Sequence, residues 1–377
     1  MLKHFMIISV LFSLLSCTVQ EKNYTIEVIN GVKTYRNKNI PSTKDIVIKP
    51  VELFTINCED NSTTDSTRII KRFNDFDVDI NNNIYISDMS NNTLKKFDSN
   101  GNYIKSFGGR GKGPGEVEMT GWMMVLKDTV IVDDYIVQDM LKFDADGNYL
   151  YKNRVNEPGP FERYQALTDD KIIGYQVYYK EEGEEVYMSY NLTIKNSNFT
   201  NYKEVAQKQI LFNREKYNFF DMFLSAYATS DSLIYFAEKS DSKYKINVYD
   251  HEANHIYSIM KNYAKIPFSE EELIIFEKEY NNRWYFSNNK SKFKSAIIQM
   301  GYDKYERLWV ISAIKRDETN KTDYLVDLFK DGVFLQQIKL DICPGYDFVN
   351  YDEQIILKRD RLYYINRKDQ YLKVYSY

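Results

Sequence analysis

The sequence predicts an all-β chain, a six-bladed β-propeller with four antiparallel strands per blade and a ring closed by an N-terminal strand that completes the last blade. Three observations carry this. The stretch from Phe73 to Glu116 holds four short apolar-alternating runs separated by turn signals. The turn between its third and fourth runs recurs along the chain. The last unit has only three such runs, while an unpartnered run of the same kind stands near the N-terminus.

In the first unit, Phe76, Val78 and Ile80 alternate with polar residues, and Ile84 to Ile86 follow an Asn-rich turn. Leu94 and Phe97, then Tyr103, Ile104 and Phe107, complete a meander. A lone meander cannot bury both of its faces, so it needs neighbours of its own kind. The register mark is Lys96-Phe97-Asp98-Ser99-Asn100-Gly101-Asn102-Tyr103-Ile104, which returns as Lys142-Phe143-Asp144-Ala145-Asp146-Gly147-Asn148-Tyr149-Leu150. Looser copies stand at Val248–Ile256 and Leu328–Phe334. In each, an aromatic residue ends a strand and an acidic residue opens a turn. Units at about 161–206 and 345–377 fit the strand pattern without that turn.

Composition agrees. Tyr (33) and Phe (22) are abundant and Pro (7) is sparse, which suits many strands. A net charge of −4, with both signs interspersed, argues against a nucleic-acid surface.

From the N-terminus, residues 1–16 read as a signal peptide: Lys3, then an apolar run from Phe5 to Leu15 that is too short to span a bilayer. Leu14-Leu15-Ser16-Cys17 resembles a bacterial lipobox, so Cys17 is the expected lipidated first residue of the mature chain. Residues 17–44 read as a polar tether, and 45–377 as the propeller. The run Asp45 to Asn57 is the strand that would join the final unit, whose runs are Ile355–Leu357, Leu362–Ile365 and Tyr371–Tyr375. That pairing removes an exposed sheet edge. The remaining units span about Trp122–Val155, Met222–Asn262 and Ser295–Leu340. Glu181 to Glu185 read as a solvated hairpin tip. A helical insertion is expected at about 268–290, opened by a capping box of Ser269 and Glu272. Trp284, Tyr285 and Phe286 behind it read as core more readily than as a binding lip.

Two motifs invite chemistry. His251-Glu252-Ala253-Asn254-His255 matches the HExxH zinc pattern, but that chemistry needs a helix and these residues occupy the recurrent turn, so no metal is expected. Gly108 to Glu116 (GGRGKGPGE) could cradle a phosphate, yet no helix follows it. It reads first as a blade-to-blade crossing, with Arg110, Lys112 and Glu116 as possible ligand contacts. Cys58 and Cys343 are a possible disulfide in an oxidising envelope. Channel-facing residues should come from the first strand of each unit. Asp77, Asp79 and Asp303 are guesses there and read more readily as turn or strand-end residues. No catalytic set emerges and no cofactor is expected.

The lipobox, the strand DIVIKPVELFTIN, the unit IYISDMSNNTLKKFDSNGNYIKSFG and the junction GGRGKGPGE together resemble the six-bladed β-propeller lipoproteins of Gram-negative anaerobes, related in pattern to NHL-repeat propellers. The likeness is specific over about residues 45–155 and weaker beyond. It implies the fold and an envelope location, at an outer membrane and facing either the periplasm or the surface, with the membrane as partner through the lipid. It implies little about activity. The expected role is a binding or scaffolding module for a peptide, glycan or envelope protein. The alternative is a hydrolase or lyase with its site at the mouth of the central channel.

Overall fold

A computed structural model describes residues 22–58, 68–155, 160–200, 203–211, 226–274, 292–315, 324–340, 342 and 353–377. After an N-terminal hairpin, β1 (Tyr24–Ile29) and β2 (Val32–Asn37), and a lone strand β3 (Val51–Asn57), the chain builds one blade after another. Blade 1 is β4 (Phe73–Val78), β5 (Ile84–Asp88), β6 (Thr93–Phe97) and β7 (Tyr103–Gly108). Blade 2 is β8 (Thr120–Leu126), β9 (Thr129–Asp134), β10 (Asp139–Asp144) and β11 (Tyr149–Arg154). Blade 3 is β12 (Phe161–Ala166), β13 (Lys171–Glu182), β14 (Glu185–Asn196) and β15 (Lys203–Leu211). Blade 4 is β16 (Ala226–Thr229), β17 (Leu233–Ala237), β18 (Tyr244–Asp250) and β19 (His255–Lys261). Blade 5 is β20 (Ile297–Tyr302), β21 (Leu308–Ser312), β22 (Tyr324–Lys330) and β23 (Val333–Leu340). Blade 6 is β24 (Glu353–Lys358), β25 (Arg361–Asn366) and β26 (Tyr371–Ser376), completed by β3.

The closure follows the sequence reading. Strand β3 lies antiparallel to β26, with Asn57 opposite Tyr371 and Ile56 opposite Leu372. Strand alternation then divides the apolar side chains between neighbours. Ile84 and Ile86 face blade 6, packing with Tyr363, Ile365 and Val374, while Tyr85 between them faces blade 2 with Val130 and Phe143. Each of the six junctions holds one such buried cluster among the described residues.

One aspartate turn shapes much of the ring. In blade 1, Asp98 Oδ1 accepts from the backbone N–H of Asn100 and Asn102 at 2.8 Å each, and Asp98 N donates to Asn102 O. Asp144 and Asp250 repeat this with Asn148 and Asn254. Gly147, at φ +80, also packs against the outer strand of blade 1, where an added Cβ would sit 2.6 Å from the Phe107 ring. Blade 3 has the turn too, in a form the sequence reading passed over. Asn196 replaces the aspartate and accepts from Asn198 N and Thr200 N, while Phe199 stands at φ +63 in the glycine position. Phe199 turns its ring into the junction with blade 2, edge-on to the stacked pair of Phe161 and Tyr164. There is room because β11 carries Asn153 opposite Met140, where β7 carries Phe107 opposite Leu94.

The expected tether is corrected. Residues 24–37 form a hairpin whose turn is Asn30 (φ 49) and Gly31 (φ 81), a strong two-residue hairpin signal that outweighs the polar composition. Strand β2 runs parallel to β19 and extends blade 4 to six strands. Asn37 ties this addition to blade 5, donating to Gly332 O at 3.0 Å and accepting from Phe334 N at 2.8 Å. Ser42 Oγ then donates to Phe334 O, and Ile46 exchanges two hydrogen bonds with the Gln336 amide. The N-terminal segment is therefore a belt around the outer rim of blades 4, 5 and 6.

Residues 270–274 are helical. Their start is a capping box, with Ser269 N donating to Glu272 Oε2 at 2.8 Å and Glu272 N donating to Ser269 Oγ at 3.2 Å. The rest of the expected insertion, including Trp284, Tyr285 and Phe286, lies outside the described residues. So do Cys17 and Cys343. Cys58 is buried in the junction between blades 6 and 1.

Candidate functional site

The inner strands β4, β8, β12, β16, β20 and β24 surround a central cavity of about 300 Å³. That is the small end of ligand cavities, which run from roughly 300 to 1,000 Å³. Four of these strands carry a bulge at the channel: β4 between Phe73 and Asp75, β8 between Thr120 and Met123, β12 between Glu162 and Gln165, and β20 between Ile297 and Gln299. A bulge inserts an unpaired residue and re-aims its side chain. The bulges on β8 and β12 present Trp122, Arg163 and Tyr164 to the cavity, with Arg163 in the left-handed region at φ 48.

These side chains are fixed by their neighbours. Tyr164 Oη donates to Trp122 O at 2.7 Å, joining blades 2 and 3. Tyr227 Oη donates to Arg163 O, joining blades 3 and 4. The Arg163 guanidinium lies 5.7 Å from the Trp122 ring centroid, within cation–π range. The Tyr227 ring meets Tyr175 edge-on at 5.5 Å. Gln165, Lys239, Gln299, Gln354 and Lys358 add polar groups to the wall. The cavity thus offers aromatic faces, amides and cationic groups on a rigid frame.

Its acid is Asp75. Oδ2 accepts from Met123 N at 2.9 Å, across the junction of blades 1 and 2. Removal from bulk water pushes the Asp75 carboxyl up to about 6, against the pull of the Met123 N–H, Arg367 and Lys358. Behind the bulge on β8, Asp133 is buried beside Gly121. Burial raises its carboxyl well above the ordinary range, and the nearby charges of Asp75 and Glu162 raise it further. Asp133 Oδ1 has no hydrogen-bond partner among the described residues. Glu162 is raised by burial as well. Tyr164 is raised by burial and then by Asp133 and Asp75.

The residues singled out from sequence lie elsewhere. Arg110, Lys112 and Glu116 do not line this cavity. Glu116 folds into its own loop, its Oε2 accepting from Gly113 N at 2.9 Å and filling the space a Cβ on Gly111 would need. Lys112 pairs with Glu118 at 3.1 Å, and Gly115 at φ +78 packs on Tyr149 and Phe143. Those glycines are required by the crossing itself. Asp79 and Asp303 are turn residues. Asp79 Oδ1 accepts from Asn81 N and Asn83 N; Asp303 Oδ1 accepts from Tyr305 N and Arg307 N, and its Oδ2 from Trp309 Nε1 at 2.7 Å. Asp77 accepts from Val125 N at 2.8 Å and pairs with Lys358, another tie between blades.

His251 Nε2 lies 3.2 Å from Ser230 O, whereas His255 stacks on Tyr249 and reaches Ser258 Oγ at 3.0 Å. The two rings engage different groups, and among the described residues no three His, Cys, Asp or Glu side chains stand together as metal ligands. No described helix is long and apolar enough to cross a membrane.

Two solved structures share the architecture. One is a protein of Bacteroides fragilis assigned as exported, 14% identical, with a TM-score of 0.51 over 91% of this chain and 98% of the other. The second is a DUF4221 family member from Bacteroides vulgatus, 11% identical, with a TM-score of 0.50 over 87% and 97%. A virginiamycin B lyase from Staphylococcus aureus aligns less closely, at 8% identity and a TM-score of 0.42 over 86% and 98%. No curated protein matches the chain in sequence. The family profile of DUF5128, described as a 6-bladed beta-propeller, matches residues 62–257, more than half of the sequence. The chain belongs to the DUF5128 family of six-bladed β-propellers.

Proposed function

We propose that the protein is an envelope-anchored binding module that receives the end of a peptide or glycan in the central cavity. The cavity carries this reading. Trp122, Tyr164 and Tyr227 offer flat apolar faces, and Arg163, Lys239, Gln165 and Gln299 offer hydrogen bonds beside them. Sugars and peptide termini pair an apolar face with a dense polar edge, so this mixture suits them. The lipobox-like Leu14-Leu15-Ser16-Cys17 supports attachment through acyl chains on Cys17, which leaves the propeller itself in water. The kinship with NHL-like propeller lipoproteins rests on the same residues and the GGRGKGPGE junction.

The test begins with tagged full-length protein recovered from gently cross-linked, detergent-solubilised envelopes, and identifies what accompanies it. Peptide and glycan fractions from that material are then titrated against the purified protein. A ligand whose affinity falls at least tenfold in Trp122→Ala and Tyr227→Phe supports the reading. A ligand held equally well by both variants moves the site off the channel and refutes it. Cys17→Ala, if still recovered with membranes, removes the anchor.

Asp75 favours one second reading. A carboxyl poised near 6 in the wall of the cavity can act as a general acid, as a hydrolase or lyase requires. Asp75→Asn that binds ligand normally and abolishes its turnover would establish that reading over simple binding.

A further inference from the structure

We infer that the belt of residues 22–53 is a second interaction surface, one that seats the rim of blades 4 to 6 on an anionic lipid surface. The inference rests on the proposed lipidation of Cys17.

The belt is unlike the rest of the molecule in charge. Residues 22–53 hold six cations, Lys22, Lys33, Arg36, Lys38, Lys44 and Lys49, against Asp45, Glu52 and Glu27, the last paired with Arg36, in a chain of net charge −4. An acidic protein therefore wears a basic strip along one arc of its rim. The strip also leaves apolar side chains in water. Val28 and Val47 are each 72% exposed, Val51 is 60% exposed, and Ile26, Ile40 and Leu53 are about half exposed. Apolar residues such as Ile80, Ile136 and Ile274 are exposed elsewhere too, but the belt gathers six of them along one segment beside its cations.

Geometry gathers the two features. On the hairpin, Ile26 lies opposite Tyr35 and Val28 opposite Lys33, so all four share one face. Tyr35 is used inward, against Gly332 and Tyr257. Ile26, Val28 and Lys33 continue that face outward with nothing of blade 5 to cover them. Strand β1 is the last strand of the six-stranded sheet, and among the described residues no strand pairs with its outer edge. A long apolar edge of this kind is a liability unless something lies on it.

Chain length selects the occupant. Seven residue steps, with six residues between, separate Cys17 from Tyr24. Fully extended they reach roughly 25 Å, so acyl chains on Cys17 hold β1 within that distance of the bilayer. Lysines and an arginine beside short aliphatic side chains match an anionic interface, where cations meet headgroups and apolar tips enter the acyl boundary. The lipid then selects the membrane and the belt sets the tilt, with the propeller axis lying closer to the membrane plane than to its normal.

The experiment uses full-length lipoprotein bound to phosphatidylglycerol vesicles, to phosphatidylcholine vesicles, and in detergent. Amide exchange is followed in β1, β2 and the outer strands of blades 1 to 3. On phosphatidylglycerol, exchange across β1 and residues 38–50 is expected to slow at least tenfold relative to detergent, with blades 1 to 3 unchanged. The protection should fall away with Lys33→Glu/Lys38→Glu/Lys44→Glu and in high salt, while the protein stays on the vesicles through its lipid. Flotation with unchanged β1 exchange overturns the belt contact and leaves the anchor standing. Failure to float on either vesicle overturns both. Equal protection on phosphatidylcholine overturns the electrostatic half of the argument and with it the assignment to anionic lipid.

Discussion

The acid in the channel gives the sharpest prediction. Asp75 has its carboxyl raised from 3.8 to about 6 in the folded protein, with burial as the main cause. An unfolded chain releases that proton near the ordinary carboxylate value, whereas the folded chain holds it until about 6. Between those values the folded state binds more protons, so stability falls as pH rises, and above about 6 the loss is complete and constant. A shift of about two pH units corresponds to roughly 3 kcal/mol, at about 1.4 kcal/mol per unit. That is a ceiling, because Asp75 lines a cavity that admits water and is only partly shielded. Asp75→Asn keeps an oxygen for Met123 N–H and carries no charge. It should be no less stable than wild type at pH 4, and more stable at pH 7.5 by about 1–3 kcal/mol. Asp133 and Glu162 are raised too and add slope of the same sign to both proteins; part of the Asp133 shift comes from the Asp75 charge, so the difference between the two curves reads Asp75 together with its coupling to Asp133. Urea midpoints from pH 4 to 8 read it directly. A difference that stays constant across the range, or that grows towards low pH, would refute the assignment of a raised acid in the channel.

Gly147→Ala should destabilise the fold by about 2–4 kcal/mol, since the methyl group meets Phe107 from blade 1 and the backbone sits at positive φ. In a Phe107→Ala background the added cost should shrink by at least 1 kcal/mol; strict additivity in urea unfolding would disprove the contact. Asp303→Ala strands the buried Trp309 Nε1 and leaves Arg307 without its carboxylate, so a loss of about 3 kcal/mol is expected. The matching change in the exposed turn, Asp98→Ala, should cost about 1 kcal/mol. Ile56→Ala, in the strand that closes the ring, should lower stability by about 2–4 kcal/mol and expose blade 6 to limited proteolysis before blades 2 and 3.

Much of the fold was legible because its signals are local. The turn of Asp98, Asn100, Gly101 and Asn102 specifies its own hydrogen bonds, so each copy could be aligned without knowing what surrounds it. The missing fourth strand was legible through strand counting alone. The site was not, for a physical reason. Alternation predicts which side chains face the channel only while strand register is regular, and the bulges on β4, β8, β12 and β20 break it at the channel wall. Trp122, Arg163 and Tyr164 owe their direction to those irregularities. The third unit hid its turn because Asn196 and Phe199 replaced aspartate and glycine. The hairpin at Asn30-Gly31 reads in sequence as part of a polar tether, and its parallel docking on β19 depends on residues more than 200 positions away.

The pairing of β3 with β26 ties the beginning of the propeller to its end. Joining segments roughly 300 residues apart costs about 5 kcal/mol of chain entropy, so this contact should form late, on blades already assembled. Until Tyr371 to Ser376 exist, β3 has no strand to pair with. A chain truncated before that point leaves two raw edges, one on blade 6 and one on β3 itself. Strand β3 therefore works as a late clasp: made early, it waits for β26, and the ring loses its seam only once that strand is in place.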